Sequence, residues 1–402
     1  MSQERSRRRR AASYAAVVGG GLVGLAAVSA TGLATYFTRR VVTPLVVKPD
    51  DLEIYDVGPD RVVLSSTPDT RVPGRYGLWL DGGRGHARIG AIIGDDGATV
   101  TRELERVDYG ELTPGPARFN QYYVAGDPTV AWDIAHEDVL VPSEVGDLPT
   151  WLVRPGSGTP YSDVWAVLVH GRGATREECL RAVPVLHRLG MGMLVPAYRN
   201  DRDAPDGQVG RYHFGGIEWR DIESAVVWAI NNGARRIVLF GWSMGGAITL
   251  QLVSRSWVAD RVDAVVLDAP VVDWGDVLAH TARVNRVPSP VGRISHGMVR
   301  NPLLRKVVGL GEPVDLRTLN WVRRARELSV PILLVHSEAD EVVPVGPSRA
   351  LAAARPDVVT FAPWSTARHT KEWNVDPEVW DGVVESFLVR HLQTVDGVKG
   401  RP

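Results

Sequence analysis

The residues Arg236-Ile-Val-Leu-Phe-Gly241-Trp-Ser243-Met-Gly245-Gly246 decide the fold of this chain. The apolar run ahead of Gly241 predicts a buried strand, and the residues after Gly246 predict a helix. Glycine on both sides of Ser243 permits a tight strand-to-helix turn, because Cβ atoms there would clash where the two elements approach. The pattern therefore predicts a serine lifted out of a sheet on a strained turn, with the N–H groups of the next helix directed towards its reaction partner.

Later loops carry the partners that a serine nucleophile needs. A serine hydroxyl is a poor nucleophile at neutral pH and requires a base that is oriented by an acid. The expected chain order is serine, acid, base. His369 follows the last predicted strand and is the candidate base. Asp340, Glu338 and Asp268 are the candidate acids, since each lies at or just beyond the end of a predicted strand.

Together with the serine turn, the segments His336-Ser-Glu338-Ala-Asp340-Glu341-Val-Val-Pro344 and Ala367-Arg368-His369 resemble the α/β-hydrolase superfamily. Its members carry H-G-x-x-D-x-x-V-P and a G-x-x-H or similar turn at these places. The resemblance covers about residues 138–392. It is closest to the esterase, serine aminopeptidase and prolyl oligopeptidase branches, and it implies Asp340 as acid and His369 as base. Ser337 and Ala367-Arg368 depart from the family pattern in ways that affect loop shape more than chemistry.

The resemblance also indicates which backbone groups stabilise a negatively charged oxygen during the reaction. His170-Gly171-Arg172-Gly173 is similar to the family's H-G-x-x stretch. We therefore expect the N–H groups of Arg172 and Met244 to form the oxyanion hole, with Gly173 as the fallback for Arg172. His170 is expected to brace this loop. Five more residues near the same edge are candidate pocket residues: Tyr198, Arg199, Tyr212, Phe214 and Trp242.

From residue 138 onward, strand-like runs alternate with helical runs. This alternation predicts an α/β fold with a mainly parallel sheet and helices on both faces, over residues 138–395. One helix is expected over residues 176–189. An insertion at about residues 271–330 predicts a helical cap. Its arginines, among them Arg286, Arg293 and Arg300, alternate with apolar residues. They indicate either a surface that rests on anionic lipid or an ordinary lid with solvated arginines.

Residues 41–137 have short, β-branched runs separated by turn signals, which predict a β-rich region. The candidate strands are Arg61–Ser65, Tyr76–Leu80, Ala87–Ile93 and Thr99–Leu104. This region resembles no family. Its histidines, His86 and His136, show no clustered ligand set, so we expect a structural or docking role.

Residues 1–40 carry a membrane signal. Arginines at positions 5 and 7–10 precede an uncharged stretch, residues 11–38. As a helix this stretch would reach roughly 40 Å, which exceeds a hydrocarbon core of about 30 Å. The arginine excess places the N-terminus in the cytoplasm and the following domain outside. Cleavage as a signal peptide after Val28-Ser29-Ala30, or a soluble basic tail, are the alternatives.

The composition excludes several classes of function. A net charge of -1 gives no reason to expect nucleic acid as a partner. The single cysteine, Cys179, excludes an internal disulfide and multi-cysteine metal motifs. No H-E-x-x-H or similar spacing appears, so we expect no catalytic metal and no cofactor. The sequence does not indicate an oligomeric state.

The candidate residues together predict a membrane-anchored serine hydrolase that works through an acyl-enzyme. Hydrolysis of a carboxylic ester is the leading reaction, on a small-molecule ester, lipid or peptide substrate. A serine peptidase or amidase, or an acyltransferase, would use the same residues. An inactive hydrolase-fold binding or scaffold protein is the non-enzyme alternative.

Overall fold

The computed structural model describes residues 31–44, 49–207 and 210–393. They form two β-sheets with helices around the second. The first sheet contains β1 (Leu52–Val57), β2 (Arg61–Ser65), β3 (Tyr76–Leu80), β4 (Gly85–Asp95), β5 (Thr99–Tyr109) and β6 (Gly115–Asn120). The second contains β7 (Glu137–Ser143), β8 (Gly146–Val153), β9 (Val164–Val169), β10 (Gly192–Pro196), β11 (Arg236–Trp242), β12 (Val262–Asp268), β13 (Ile332–Ser337) and β14 (Val359–Trp364).

The first sheet closes into a barrel in the order β1-β2-β5-β4-β3-β6. Alternate side chains of antiparallel strands point inward, so Leu64, Leu78 and Ile89 are buried in the interior. Arg102 is also buried there, and burial lowers its pKa to about 10. Its guanidinium donates to backbone carbonyls in residues 70–74 and to that of Gly90. Arg102 therefore fixes the loop between β2 and β3.

The second sheet has the order β14-β13-β12-β11-β9-β10-β8-β7. The neighbouring strands from β14 to β10 pair in parallel, while β8 pairs antiparallel with β10 and with β7. The residues of β9 and β13 are buried throughout. Helices cover both faces of such a sheet, which is why these strands read as continuous apolar runs. The carboxyl ends of β9, β11, β13 and β14 lie at one edge.

The helices are α1 (31–42), α2 (Pro128–Trp132), α3 (Val183–Arg188), α4 (Trp219–Asn231), α5 (Met244–Arg255), α6 (Trp274–Val284), α7 (Ser289–Arg300), α8 (Gly346–Ala354), α9 (Glu372–Val375) and α10 (Pro377–Leu392). Short 3₁₀ segments are Asp81–Gly83, Arg176–Ala182, Ala259–Arg261, Leu304–Val308 and Ala325–Glu327. Between β12 and β13, α6 and α7 form the cap that the insertion predicts.

Most predicted elements correspond to observed ones, with two differences. Strands β1 and β6, which complete the barrel, were not predicted. The single helix predicted over residues 176–189 is wrong, because this segment is a 3₁₀ turn, Arg176–Ala182, followed by the short α3. Pro184 explains the break. Its ring favours the first turn of a helix and lacks the N–H that would continue an earlier one.

Helix α1 packs on the cap. Ala34 and Val42 are fully buried, the hydroxyl of Thr35 donates to the sulfur of Met298, and Arg39 donates to the carbonyl of Val307. The membrane span predicted over residues 11–38 is therefore wrong at its C-terminal end, since lipid-facing residues could not make these contacts. Residues 1–30, which carry the rest of that prediction, lie outside the described residues. Within the described ranges, no helix is long and apolar enough to cross a bilayer.

Candidate active site

Ser243 lies on the turn between β11 and α5. Its backbone has φ 51° and ψ −114°, a conformation that is strained for a residue with a Cβ. The neighbouring glycines make this turn sterically accessible. A Cβ on Gly245 would lie 2.0 Å from the carbonyl oxygen of Val169, and one on Gly241 would lie 2.6 Å from the backbone of Gly245. Close contact with β9 and α5 therefore requires glycine at both positions.

Three predicted residues meet at the edge where β11, β13 and β14 end. Nε2 of His369 lies 2.9 Å from Oγ of Ser243. Nδ1 of the same ring lies 2.7 Å from Oδ2 of Asp340. The other oxygen of Asp340 accepts two backbone N–H groups, from Val342 and Val343, each at 2.8 Å. The carboxylate is thus held by the backbone while it faces the imidazole. A continuous hydrogen-bonded chain runs from the acid to the serine.

The local environment favours the charged form of the acid and a strongly basic imidazole. Burial alone would raise the pKa of Asp340, but His369 and His336 outweigh burial and hold that pKa well below its usual range. Burial alone would lower the pKa of His369, but the Asp340 carboxylate outweighs burial and raises it. Asp340 is therefore ionised at neutral pH, and His369 is a stronger base than a free imidazole.

The two alternative acids face other partners. Glu338 pairs with Arg349 on the surface. Asp268 is buried and accepts a hydrogen bond from the indole of Trp380 at 2.7 Å. A further buried carboxyl, that of Glu372, lies next to Asp268. Burial and the neighbouring Asp268 raise the pKa of Glu372 well above its usual range, so Glu372 and Asp268 together keep a proton. Neither Glu338 nor Asp268 bonds to His369, so the geometry favours Asp340 among the three.

The loop after β9 packs against Ser243. A Cβ on Gly171 would lie 3.1 Å from Cβ of Ser243. The N–H of Gly171 donates to Glu178 at 2.7 Å, and the N–H of Gly173 donates to the hydroxyl of Tyr212 at 3.2 Å. No group in the described part of the chain accepts a hydrogen bond from the N–H of Arg172. The fallback donor, Gly173, is therefore already engaged, and the geometry favours Arg172.

Comparisons with known proteins agree with this architecture. A model of the alpha/beta hydrolase family matches residues 155–389, more than half of the chain. The chain belongs to the alpha/beta hydrolase family. A second model, a domain of unknown function (DUF8805), matches residues 53–120, which lie in the barrel. No curated protein matches the chain.

Solved structures of this family are similar to the chain over about two thirds of its length. An esterase from Pyrococcus furiosus has 20% sequence identity and a TM-score of 0.51, covering 67% of this chain and 96% of that one. An α/β serine hydrolase without a lid from Xanthomonas campestris has 15% identity and a TM-score of 0.43, covering 63% and 94%. An esterase from Rhodococcus sp. has 16% identity and a TM-score of 0.43, covering 64% and 99%. The likeness to the Pyrococcus protein shows the fold.

Three residues that were not predicted support the site of this alpha/beta hydrolase: His336, Glu178 and Arg181. Nε2 of His336 lies 3.1 Å from Oδ2 of Asp340, the same carboxylate oxygen that faces His369. Glu178 accepts a hydrogen bond from the N–H of Gly171, in the loop after β9, and pairs with the buried Arg181 at 3.6 Å. Arg181 in turn donates to the carbonyl of Thr370, next to His369. His336 belongs to the family motif and could have been found there, whereas Glu178 and Arg181 carry no local signal.

The five candidate pocket residues separate into different environments. The pocket prediction is wrong for Tyr198 and Trp242, which are buried in the core. Tyr198 supports the loop after β9 by donating to the carbonyl of Gly171 at 3.1 Å. Arg199 pairs with Asp221 and Glu144 and lines a small cavity elsewhere. Tyr212 lines a cleft that also includes Gly173, and Phe214 lines a separate cavity between α1 and the cap. Neither cavity is lined by Ser243, so the pocket role of these two residues stays a prediction.

The barrel contacts the loop that carries His369. Arg368 and Lys371 lie on either side of this histidine, and both pair with Asp69 of the barrel, at 2.9 Å and 2.6 Å. The side-chain amide of Asn374 donates to the carbonyls of Arg75 and Gln121 at 2.7 Å and 2.8 Å. The candidate base is therefore held by contacts from a part of the chain outside the hydrolase family match.

Proposed function

We propose that this chain is a carboxylic ester hydrolase with Ser243 as nucleophile, His369 as base and Asp340 as the orienting acid. The hydrogen-bonded chain from Asp340 through His369 to Ser243 is the observation that carries the proposal. Membership of the alpha/beta hydrolase family supports it, as does the likeness to a protein described as an esterase. That likeness is the reason for preferring an ester over an amide.

In the proposed mechanism, His369 takes the proton of Ser243 while its oxygen attacks the ester carbonyl carbon. Asp340 keeps Nδ1 of the imidazole protonated and stabilises the imidazolium that forms. The N–H groups of Arg172 and Met244 bind the oxyanion of the tetrahedral intermediate. His369 then donates its proton to the leaving alcohol. Water, activated by the same imidazole, releases the acid from the acyl-enzyme.

Turnover of a short ester tests this proposal. We expect the purified chain to hydrolyse p-nitrophenyl acetate and Ser243→Ala to lose that activity, because the substitution removes the attacking oxygen. Ser254→Ala, which alters another serine on α5, is the matched control and should keep full turnover. Activity that survives in Ser243→Ala would contradict the proposal.

We also propose that residues 1–30 attach the protein to a membrane with the hydrolase fold outside the cytoplasm. The arginines before residue 11 and the uncharged stretch after them support this orientation. Because α1 packs on the cap, a truncation should begin after residue 30 so that α1 remains. We expect the full chain to sediment with membranes and the truncated chain to stay in the supernatant. Release of the full chain by a salt wash alone would contradict an anchor. An N-terminus at Thr31 in the mature protein would instead identify a cleaved signal peptide.

A further inference from the structure

The last two carbonyl groups of α1 accept hydrogen bonds from the hydrolase fold. Carbonyls at the C-terminal end of a helix have no partner within the helix, so another group must supply their hydrogen bonds. The guanidinium of Arg172 donates to the carbonyl of Val41 at 3.1 Å. The N–H of Tyr212 donates to the carbonyl of Val42 at 2.9 Å. The hydrolase fold therefore caps the C-terminal end of α1.

Both hydrogen bonds lead to adjacent residues of the loop after β9. Arg172 belongs to this loop and contacts α1 directly. The hydroxyl of Tyr212 accepts a hydrogen bond from the N–H of Gly173 at 3.2 Å, so this tyrosine joins the loop to the end of α1 as well. The preceding residue, Gly171, packs against Ser243. The end of α1 thus holds the segment that lies beside the proposed nucleophile.

The guanidinium of Arg172 has no acidic partner among the described residues. Burial lowers the pKa of Arg172, and the phenols of Tyr198 and Tyr212 oppose this shift only in part. The carbonyls at the C-terminal end of a helix carry partial negative charge, which favours a nearby cation. The end of α1 therefore supplies the compensation that Asp221 supplies to Arg199.

The rest of α1 is fixed to the cap. Ala34 is fully buried, and its carbonyl accepts a hydrogen bond from the hydroxyl of Ser295 in α7 at 3.4 Å. The helix lies outside residues 53–120 and 155–389, the two segments that the family models match. The contacts with the loop after β9 therefore come from a part of the chain that neither model describes.

We propose that α1 is a positioning element of the active site, which holds Arg172 so that its N–H faces the oxyanion formed at Ser243. This inference rests on the proposed function, in which that N–H is one of two oxyanion donors. Such a donor is effective at about 2.7–3.1 Å from the oxyanion, so a loop that shifts loses much of the stabilisation. Docking of α1 therefore affects the rate of the chemical step and not the affinity for the substrate.

Substitutions of the Arg172 side chain test the link directly, since they leave its backbone N–H in place. Arg172→Met removes the guanidinium and keeps an unbranched side chain, whereas Arg172→Lys keeps a cation that can donate to the same carbonyl. Arg176→Met is the matched control, because the guanidinium of Arg176 lies 4.3 Å from the ring centroid of Trp151 instead. Steady-state kinetics of the full-length chain with p-nitrophenyl acetate measure kcat and KM separately. Thermal unfolding verifies that each variant is folded.

We expect Arg172→Met to lower kcat about ten- to hundredfold with KM unchanged, since the donor acts in the transition state and its complete loss costs on the order of 10²–10³-fold. Arg172→Lys should keep more activity than Arg172→Met, and Arg176→Met should keep the wild-type kcat. An unchanged kcat in folded Arg172→Met would overturn the inference. So would an equal fall in Arg176→Met, or a lysine variant no faster than the methionine variant.

Changes on α1 itself distinguish docking of the helix from a local effect at Arg172. Ala34→Glu places a carboxylate on the buried face of α1, while Leu33→Glu places the same group where the side chain is 40% exposed. We expect only Ala34→Glu to reproduce the kinetics of Arg172→Met. The double variant should be no slower than the slower single variant, because both changes remove the same link. Losses that multiply would show that the two residues act independently and would contradict the inference.

Hydrogen exchange separates this inference from the proposed function. The amides of Gly171 and Gly173 donate hydrogen bonds, so their exchange measures opening of the loop after β9. We expect a peptide of residues 171–175 to exchange faster in Ala34→Glu than in the wild type or in Leu33→Glu. This result supports the positioning role even if the wild type hydrolyses no ester, in which case only the proposed function fails. Equal exchange in all three chains overturns the positioning role, whatever the wild type hydrolyses.

Discussion

Two histidine–aspartate pairs in this molecule have nearly the same geometry and different surroundings. His369 lies 2.7 Å from Asp340, and His170 lies 2.9 Å from Asp201. In the first pair the remaining ring nitrogen faces the hydroxyl of Ser243. In the second pair it faces the carbonyl of Gly171 at 3.0 Å. A carbonyl can only accept, so both nitrogens of His170 donate when these bonds are made, and the ring has no free lone pair.

The difference shows that the partner of the ring nitrogen that does not face the aspartate determines whether the histidine can act as a base. Burial alone would lower the pKa of His170, but Asp201 outweighs burial and raises it, as Asp340 does for His369. The side chain of His170 is fully buried and stacks on Tyr198 with ring centroids 4.5 Å apart. That of His369 keeps 16% exposure. His170 therefore braces the loop after β9, as its sequence context predicts, and the proposed base is the histidine that reaches a hydroxyl.

Replacing Asp340 or Asp201 with asparagine should give the largest difference in activity between the two pairs. We expect Asp340→Asn to lower kcat on the order of 10⁴-fold, because the amide no longer fixes the imidazole tautomer or stabilises its charged form. Asp201→Asn should lower kcat less than tenfold, since His170 contacts no reacting atom. Steady-state kinetics with p-nitrophenyl acetate would measure both. Comparable losses in the two variants would contradict the division of roles.

The pH dependence of activity should identify which histidine is the base. His369 acts only when Nε2 is unprotonated, and its pKa is raised above the ordinary value, so kcat/KM should rise with pH with an apparent pKa above about 6.5. Asp340→Asn removes the carboxylate that raises this pKa, so its residual activity should titrate at lower pH. Asp201→Asn should leave the apparent pKa of the rise in kcat/KM unchanged. If this apparent pKa changed in Asp201→Asn alone, the titrating group would be His170.

Stability should respond in the opposite way from activity. The raised pKa of His170 means that its pairing contributes stability below about pH 6.5, which is lost as pH rises through the folded-state value. Asp201→Asn should therefore destabilise the protein by about 1–3 kcal/mol, most strongly below pH 6.5. Urea unfolding across pH would measure the difference. If the difference in the free energy of unfolding between wild type and variant grew at high pH, it would contradict this explanation.

The barrel contact with the His369 loop should give the smallest effect. Asp69 and its partners are partly exposed, and such ion pairs contribute about 0.2–1 kcal/mol. We expect Asp69→Asn to lower kcat about two- to fivefold, because the His369 loop loses a charged contact on each side. Asp56→Asn, which breaks the exposed barrel pair with Arg61, is the matched control and should leave kcat unchanged. Equal effects on kcat in the two variants would show that the barrel contact with the His369 loop does not contribute to activity.

The sequence alone predicts the strands of the second sheet and the candidate triad, because their signals are local. A buried parallel strand is a continuous apolar run, and Ser243, Asp340 and His369 each follow one. In contrast, β6 contains Gly115 and Pro116, which indicate a turn unless the barrel closure is known.

The supporting contacts could not be predicted, because they join residues that are distant in the sequence. Lys371 and Asp69 are 302 positions apart, and Arg181 reaches the backbone of Thr370 across 189. The packing of α1 on the cap depends on the same kind of contact. An uncharged stretch such as residues 11–38 has the same composition whether it faces lipid or packs on protein. The residue at which a membrane span would end can therefore be determined only from the structure.

In the proposed mechanism, His369 and Asp340 make Ser243 the reactive serine of this chain. Labelling with a fluorophosphonate probe, followed by peptide mass spectrometry, tests it most directly because it requires no knowledge of the substrate. The proposed mechanism predicts a single adduct on Ser243, absent from Ser243→Ala, strongly reduced in His369→Gln and retained in Asp201→Asn. An adduct on another serine, or labelling of Ser243 that is unaffected by His369→Gln, would contradict the claim.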